Sequence, residues 1–504
     1  MKIESKNYFT GISHKIPENL DDKTEIDAFL LKNKGKKLIV IQGLGFVGSV
    51  MALVCANSKI ENYAVIGIDL PNEKSYWKIK SINDGIFPIN SSDKLIETFY
   101  QNSRKLNNFY ATFDPYCFTK ADVIIIDINL DVIKNGVNFS NQKSYEVPLN
   151  GFKNAVYSIG QNCREDVLIL TETTVPPGTS INLIKPIIDS CLLSRGMQNT
   201  KYLLGHSYER VMPGPNYIDS IKNFYRVYAG IDSRSADAVE LFLKTIISVE
   251  KYPLTRLSNT NATELSKVLE NSYRAMNIAF ITEWSRFAEE ADVNLFEVID
   301  AIKLRPTHSN MMYPSLGVGG YCLTKDSLLA SWSLENIFKS KYTLNQSLQS
   351  LNINDSMPKM AFTFLSNQYF KECNLELKGL KILLLGVSYR SNIGDTRFTP
   401  VELLFDLLSN NNNIIHLHDP YVNYWEEKKL FINQDLQKSL NETYDILIFS
   451  TGHIEYKSKE FIEILKNKKN MFIFDAVGLL NNYEIELISI NNIVKVIGRG
   501  DLNK

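Results

Sequence analysis

The chain of 504 residues carries 44 % hydrophobic and 22 % charged side chains, which excludes disordered, fibrous and collagen-like classes; its length exceeds what one core supports, so about three domains are expected. A formal net charge of −1 supplies no overall attraction to nucleic acid or an anionic membrane, while leaving room for a local basic site for a small phosphate ligand. Six cysteines, at 55, 117, 163, 191, 322 and 373, show no CxxC spacing; they exclude a disulfide framework and a zinc site and point to reduced thiols, with no metal expected.

The first residues, MKIESKNYFTGISHKIPENLDDKTE, lack an apolar targeting core, and no window reaches about 18 uninterrupted apolar residues. A cytoplasmic protein without a membrane partner is expected. Residues 1–36 are polar, end in KNKGKK, and form an N-terminal extension. KLIVIQ then reads as a strand, followed at once by GLGFVGSVMALVCA, a glycine turn opening a helix. A second strand, AVIGID, ends at Asp69; ADVIIIDI and DVLILTET follow, separated by helical patterning. Strands alternating with helices imply a parallel, doubly wound sheet, here over residues 37–215. From 258 to 302 the pattern becomes one long helical stretch without proline or glycine. It suits a packing helix between domains that also pairs with its copy in a dimer, within a helical domain over 216–344. KGLKILLLGVSYR, IIHLHDPY, YDILIFST, NMFIFDAVG and IVKVIGRG make a second α/β domain over 345–504. The expected fold is α/β: two Rossmann-like doubly wound domains joined by a long central helix and a helical dimerisation domain.

Gly43-Leu-Gly45-Phe46-Val47-Gly48 fits GxGxxG. Alone that is a weak signal, but it follows a strand and opens an apolar helix. The glycines then allow a tight turn, close approach of a pyrophosphate and close helix–strand packing. Asp69 lies 21 residues beyond Gly48 at the end of the next strand, where a carboxylate accepts from a ribose diol and repels a 2′-phosphate, favouring NAD over NADP.

Six blocks, GLGFVG, TETTVPPGT (171–179), HSYERVMPG (206–214), ELSKVLENSYR (264–274), GVGGYCLTKD (317–326) and GVSYRSNIGDTRFTP (386–400), together resemble the nucleotide-sugar 6-dehydrogenases of UDP-glucose, GDP-mannose and UDP-N-acetylhexosamines, in that family's order. The resemblance implies NAD-dependent four-electron oxidation of a sugar C6 alcohol to the uronic acid for surface polysaccharide synthesis. It also implies a cysteine carrying the intermediate as thiohemiacetal and thioester. A thiolate is both nucleophile and leaving group, which this chemistry needs.

Cys322 alone has the family's surroundings. A helix starting just after it, with Lys325 nearby, would favour thiolate and bring Asp326 one turn away. The resemblance gives Asp326 a part in positioning or activating water. Most isolated cysteines in such a setting are small buried residues of a glycine turn, and only the surrounding motif sets Cys322 apart; the other five cysteines read as packing or bystander residues. Lys267 and Asn271, four apart on the long helix, match a lysine and an asparagine that stabilise negative charge at the reacting carbon; Arg274 faces the same site or solvent. Thr174 matches a threonine beside the water and the C6 oxygen, which makes it the candidate for orienting the water, and it is also expected among the cofactor contacts. Glu172 has no assigned part.

Glu209 and Arg210 fall where the resemblance places the substrate, with Gly319 closing the backbone around the sugar. UDP-glucose dehydrogenases carry a second glutamate four residues after the first, where this chain has Pro213. The ERVMPG form therefore favours a UDP-N-acetylhexosamine, whereas GGYCLTKD looks more like the UDP-glucose branch. Arg390 stands at the family's usual diphosphate lysine, Arg397 matches an arginine reaching the cofactor, and Arg305 resembles one donated to a neighbouring subunit's sugar site. The pattern departs after ADVIIID: Ile128-Asn129-Leu130-Asp131 replaces a VPTP-like turn whose threonine touches NAD. Residues 1–36 exceed what the family needs and read as a flexible arm or an assembly element. Two rivals remain: a two-electron β-hydroxyacid dehydrogenase, which would not need GGYCLTKD, and a non-catalytic nucleotide-sugar-binding protein.

Overall fold

The computed structural model describes residues 4–7, 10–89, 91–135, 144–197, 201–211 and 213–503. Its contacts divide the chain into two compact units: Met1–Ile133, Glu146–Leu269 and Leu329–Tyr342 in the first, and Lys134–Tyr145, Glu270–Leu328 and Thr343–Lys504 in the second.

In the first unit two short antiparallel strands, β1 (Glu4–Lys6) and β2 (Ser13–Lys15), and helix α1 (Lys23–Lys32) precede the main sheet. Strand β3 (Lys37–Gln42) leads through the glycine turn into α2 (Phe46–Ala56), then β4 (Tyr63–Ile68), α3 (Tyr76–Asp84) and β5 (Phe109–Thr112). The sheet continues with β6 (Val123–Ile126), β7 (Leu168–Thr171), β8 (Leu203–His206), β9 (Val227–Gly230) and β10 (Thr255–Arg256). Its order is β10-β9-β8-β7-β6-β3-β4-β5, parallel except where β8 meets β9. Strands buried on both faces read as unbroken apolar runs, and β4 and β6 are buried at every position. Helix α2 is buried from Gly48 to Ala56, because its sequence is apolar on every side. The sheet extends past residue 215, since β9 and β10, of four and two residues, carry too little apolar run to be read in advance.

The stretch expected as one helix over 258–302 is two. Helix α4 (Thr260–Glu290) ends before Asp292, whose φ of +56° breaks the helical path. The Asn294 side chain then accepts from Phe296 N and caps α5 (Leu295–Lys303), a standard N-terminal arrangement. Helices α6 (Asp326–Asn336) and α7 (Asn345–Cys373) follow.

The second unit's sheet comprises β11 (Lys381–Leu385), β12 (Ile414–His418), β13 (Ile446–Phe449), β14 (Phe472–Asp475) and β15 (Ile493–Val496), all parallel in the order β12-β11-β13-β14-β15. Alternate residues feed two separate cores: Ile382, Leu384, Ile448 and Phe474 on one face, Leu383, Leu385, Phe449 and Ile473 on the other. The period-two alternation of a strand requires this division. The fold is thus α/β, with two mainly parallel sheets and helical segments between them in the chain. Among the described residues no helix is long and apolar enough to cross a membrane.

Candidate active site

At the turn after β3, Gly43 has φ +105°, and a Cβ there would lie 2.5 Å from the Asp127 carbonyl oxygen. A Cβ on Gly48 would lie 1.9 Å from the Gly43 oxygen. Both positions admit only glycine because backbone touches backbone. Around Gly45, by contrast, a Cβ would meet nothing within 4 Å, so the turn is open where a pyrophosphate reaches the first turn of α2. Phe46 and Val47 form that turn, and Tyr217 Oη donates to Phe46 O at 2.7 Å. Asp69, at the end of β4, accepts from Leu44 N at 3.1 Å and from Leu70 N at 2.7 Å, with Lys78 Nζ at 3.4 Å. The glycine cradle, the helix start and the carboxylate together fit a dinucleotide.

Orphaned buried atoms gather at the carboxyl ends of the same strands: both Asp127 carboxylate oxygens, Thr171 Oγ1, Glu172 Oε2, His206 Nε2 and Ser207 Oγ. Open α/β sheets take their ligands at this end. Glu172 accepts from Arg226 at 2.7 Å with both side chains buried. Burial pushes the Asp127 carboxyl well up, and the nearby Glu172 and Glu209 add to the effect. Burial holds His206 down at about 3, so it is neutral, with Nδ1 2.8 Å from Thr263 Oγ1.

The residues of TETTVPPGT are held from two sides. Thr173 Oγ1 donates to Ile128 O at 2.7 Å, tying in the segment that replaces the VPTP-like turn. Glu264, fully buried on α4, accepts from Gly178 N at 2.6 Å and from Ser180 N at 2.8 Å and Oγ at 2.6 Å. Thr174 is buried within this stretch. One turn on from Glu264, Lys267 Nζ donates to Glu209 O at 2.8 Å, stands 3.7 Å from Glu209 Oε1, and lies over the Tyr208 ring at 5.3 Å. Arg210 donates to Tyr225 O at 2.7 Å and Tyr208 Oη at 3.0 Å and stacks on Tyr208 and Phe224. Met212 of the HSYERVMPG block lies outside the described residues.

In the second unit the Cys322 carbonyl accepts from Lys325 N at 3.2 Å and Asp326 N at 3.1 Å, so the chain coils from Cys322 directly into α6. Asp326 is buried and shared: Oδ1 accepts from Lys325 Nζ at 2.9 Å and Oδ2 from Asn271 Nδ2 at 2.7 Å. Cys322 is partly exposed, Cys373 likewise, and Cys55, Cys117, Cys163 and Cys191 are buried thiols. A Cβ on Gly319 would lie 2.5 Å from Tyr389 Cβ, and one on Gly320, whose φ is +79°, 2.6 Å from the Tyr389 ring. Gly320 N donates to Arg397 O at 3.1 Å. Arg397 itself forks onto Asp395, at 2.9 and 2.6 Å, and stands 5.8 Å from the Tyr321 ring. Arg390, Arg305 and Arg274 are exposed.

The structure thus groups Gly43, Gly45, Phe46, Val47, Gly48 and Asp69 at one turn, Lys267 with Glu209, and Asn271 with Asp326 beside the Cys322 turn. Two buried charges, Arg226 and Glu264, were not singled out from sequence. For Glu264 the signal was there, three residues before Lys267; for Arg226, 54 residues from its partner, there was none.

Models of three domains of the UDP-glucose/GDP-mannose dehydrogenase family match the chain: the NAD binding domain over residues 37–246, the central domain over 261–355 and the UDP binding domain over 383–482. The chain is 30 % identical over 458 residues to a UDP-N-acetyl-D-mannosamine dehydrogenase of Methanococcus vannielii, spanning 90 % of this chain and 95 % of that protein. It is 28 % identical over 474 residues to the protein of the same name from Methanococcus aeolicus, spanning 93 % and 97 %. A solved structure of UDP-D-ManNAc dehydrogenase from Pyrococcus horikoshii superposes with a TM-score of 0.76 at 25 % identity, covering 92 % of this chain and all of that one.

Gly45→Ala is expected to leave the unfolding midpoint unchanged, since the added carbon meets no protein atom, and to weaken NAD binding about tenfold by calorimetry, since it occupies the pyrophosphate approach. Burial raises Glu264 from 4.5 to about 7. A carboxyl that binds its proton more tightly when folded stabilises fully below its unfolded pKa, and that contribution is lost as pH rises through its folded value. Subtracting the urea stabilities of Glu264→Gln from those of the parent should therefore give a difference falling between pH 4.5 and about 7; a flat difference refutes the assignment.

Proposed function

Since the chain belongs to the UDP-glucose/GDP-mannose dehydrogenase family of NAD-binding nucleotide-sugar dehydrogenases, we propose that it oxidises C6 of a UDP-N-acetylhexosamine from alcohol to carboxylate with Cys322 as covalent carrier. The observation that carries this reading is the buried Asp326, bonded by Asn271 and Lys325 and one turn beyond a partly exposed Cys322. The relatives' names make UDP-N-acetyl-D-mannosamine the first sugar to test, and Pro213 in the ERVMPG block agrees. The product is a uronic-acid donor for surface polysaccharide, made in the cytoplasm.

NAD, when bound, takes up the hydride lost from C6 at each of the two oxidations. Lys267 and Asn271, one helical turn apart, supply an ammonium and an amide donor to oxygen as negative charge develops on it. The Cys322 thiolate forms a C–S bond to the aldehyde carbon, whose oxygen takes a proton. The resulting thiohemiacetal loses a hydride and that proton to become a thioester. Water, positioned by Asp326 and Thr174, attacks the thioester carbon; the C–S bond breaks and the thiolate leaves. Glu209, Arg210 and Gly319 line the sugar, Arg390 takes the diphosphate, and Arg397 faces the cofactor.

A homodimer belongs to this reading. Tyr273, Phe280, Trp284 and Phe287 are exposed on α4, with rings 6.1 and 5.9 Å apart along the last three. An aromatic stripe of this kind marks an interface, and Arg305 would then serve the neighbouring subunit's site. Trp284→Asp is expected to shift the mass measured by light scattering from dimer to monomer.

Two NADH formed per UDP-N-acetyl-D-mannosamine consumed is the expected stoichiometry, with Cys322→Ala stopping at the aldehyde and forming at most one. One NADH per sugar, unaffected by the substitution, would refute the covalent step; sugar bound without any NADH would favour a binding protein. UDP-glucose, UDP-N-acetylglucosamine and UDP-N-acetylgalactosamine in parallel decide the sugar, and preference for UDP-glucose would overturn the branch assignment.

A further inference from the structure

The family match begins at residue 37, yet the described residues before it pack on the first unit, and two of the places where they do so lead to Asp69. The first is β5, the edge strand of the main sheet. The half-buried Asp22 carboxylate accepts from Tyr110 Oη at 2.9 Å and from Thr112 Oγ1 at 2.5 Å, while Asp22 N donates to Asp114 at 2.9 Å. The Phe29 ring stacks on Tyr110 at 5.7 Å. Thr112, the residue Asp22 holds, accepts the Asp69 N–H at its carbonyl, 3.2 Å away.

The second place is α3 and the turn before it. Ser5 Oγ donates to Glu73 O at 2.7 Å and accepts from Trp77 N at 3.0 Å, and Asn7 donates to Ser81 Oγ at 3.1 Å. Next to Trp77, Lys78 reaches Asp69 Oδ2 at 3.4 Å. From the same helix Asn83 exchanges two hydrogen bonds with the outer edge of Ala111 on β5, at 2.8 and 2.9 Å. The edge of a sheet is where backbone groups lack a strand partner and where it opens most readily. Here that edge also carries the wall beside Asp69.

We propose that the segment before residue 37 is a working part of the cofactor site, its Asp22 and Ser5 acting as positioning residues that hold Asp69 where it accepts the adenosine ribose of NAD. The proposal rests on reading Asp69 as the ribose acceptor. A preorganised acceptor binds more tightly because its ordering is not charged to the ligand. Loosening β5 or α3 therefore costs affinity for the adenosine half of NAD while leaving the UDP-sugar untouched.

The test uses the full chain and the variants Asp22→Asn, Ser5→Ala, Thr112→Val and Asp69→Asn. ADP-ribose binding by calorimetry, KM for NAD, KM for the UDP-sugar and the urea midpoint are measured for each. Asp22→Asn, Ser5→Ala and Thr112→Val are expected to weaken ADP-ribose three- to tenfold and raise KM for NAD in parallel, with KM for the sugar and the midpoint unchanged. Parent-like ADP-ribose binding in these three, with Asp69→Asn impaired, overturns the inference while sparing the ribose reading. Parent-like binding in Asp69→Asn overturns the ribose reading, and the inference falls with it. A lowered midpoint with both KM values raised shows a merely structural segment and also overturns it.

Discussion

One buried cation, Arg226, holds the first unit's site together. Its guanidinium meets Glu172 at the end of β7 and reaches the Ser207 carbonyl after β8. Asp127, Glu172 and Glu209 all lie close enough to act on one another's charge. Three carboxyls in a dry region repel and are costly to ionise. Burial accordingly pushes Asp127 and Glu172 up, with Arg226 opposing the rise in both. From this cluster Glu209 receives Lys267, and Glu172 opens the turn that carries Thr174. The surroundings of Lys267 are therefore set in part by a charge just before β9, 41 residues away in sequence.

Close backbone contact is the second constraint, and glycine meets it in both units. Gly43 and Gly48 let the chain turn tightly against the residue that follows β6, and Gly319 and Gly320 let the cysteine loop lie flat on Tyr389 and Phe398. In each case a candidate site residue stands next to the crowded stretch: Asp69 accepts from Leu44 beside Gly43, and Cys322 follows Gly320 by two residues. Rigid backbone fixes such groups more precisely than a mobile loop does. Asp326 adds a charged clasp, since its two oxygens are taken by Asn271 and Lys325, and the start of α6 is thereby tied to α4.

The segment Ile128–Asp131, where the sequence departs from the family pattern, is held locally. Thr173 bonds the Ile128 carbonyl, so the segment is anchored to the neighbouring turn although its composition differs. Arg210, expected at the substrate, is packed between Tyr208 and Phe224. Its guanidinium therefore shapes the Tyr208 segment, over whose ring Lys267 also rests.

The alternation of apolar strands and helices, the glycine turn and the ordered blocks around Lys267, Asn271 and Cys322 were legible in the chain, because each depends on residues near one another in sequence. A strand's burial, a helix's face and a glycine's need for space are local properties. The short strands β9 and β10 were not legible, since pairing with an existing sheet, rather than their own composition, makes them strands. Nor was the break at Asp292, where no proline or glycine announces the end of α4. The Arg226–Glu172 pair, the clasp of Asn271 on Asp326 and the hold of Asp22 on Thr112 join residues 54, 55 and 90 positions apart. Such partnerships exist only once the sheets and helices have packed, because the strength of a charged hydrogen bond depends on the burial that packing creates. Local chemistry thus settled which residues could act, and tertiary packing decided which of them hold one another in place.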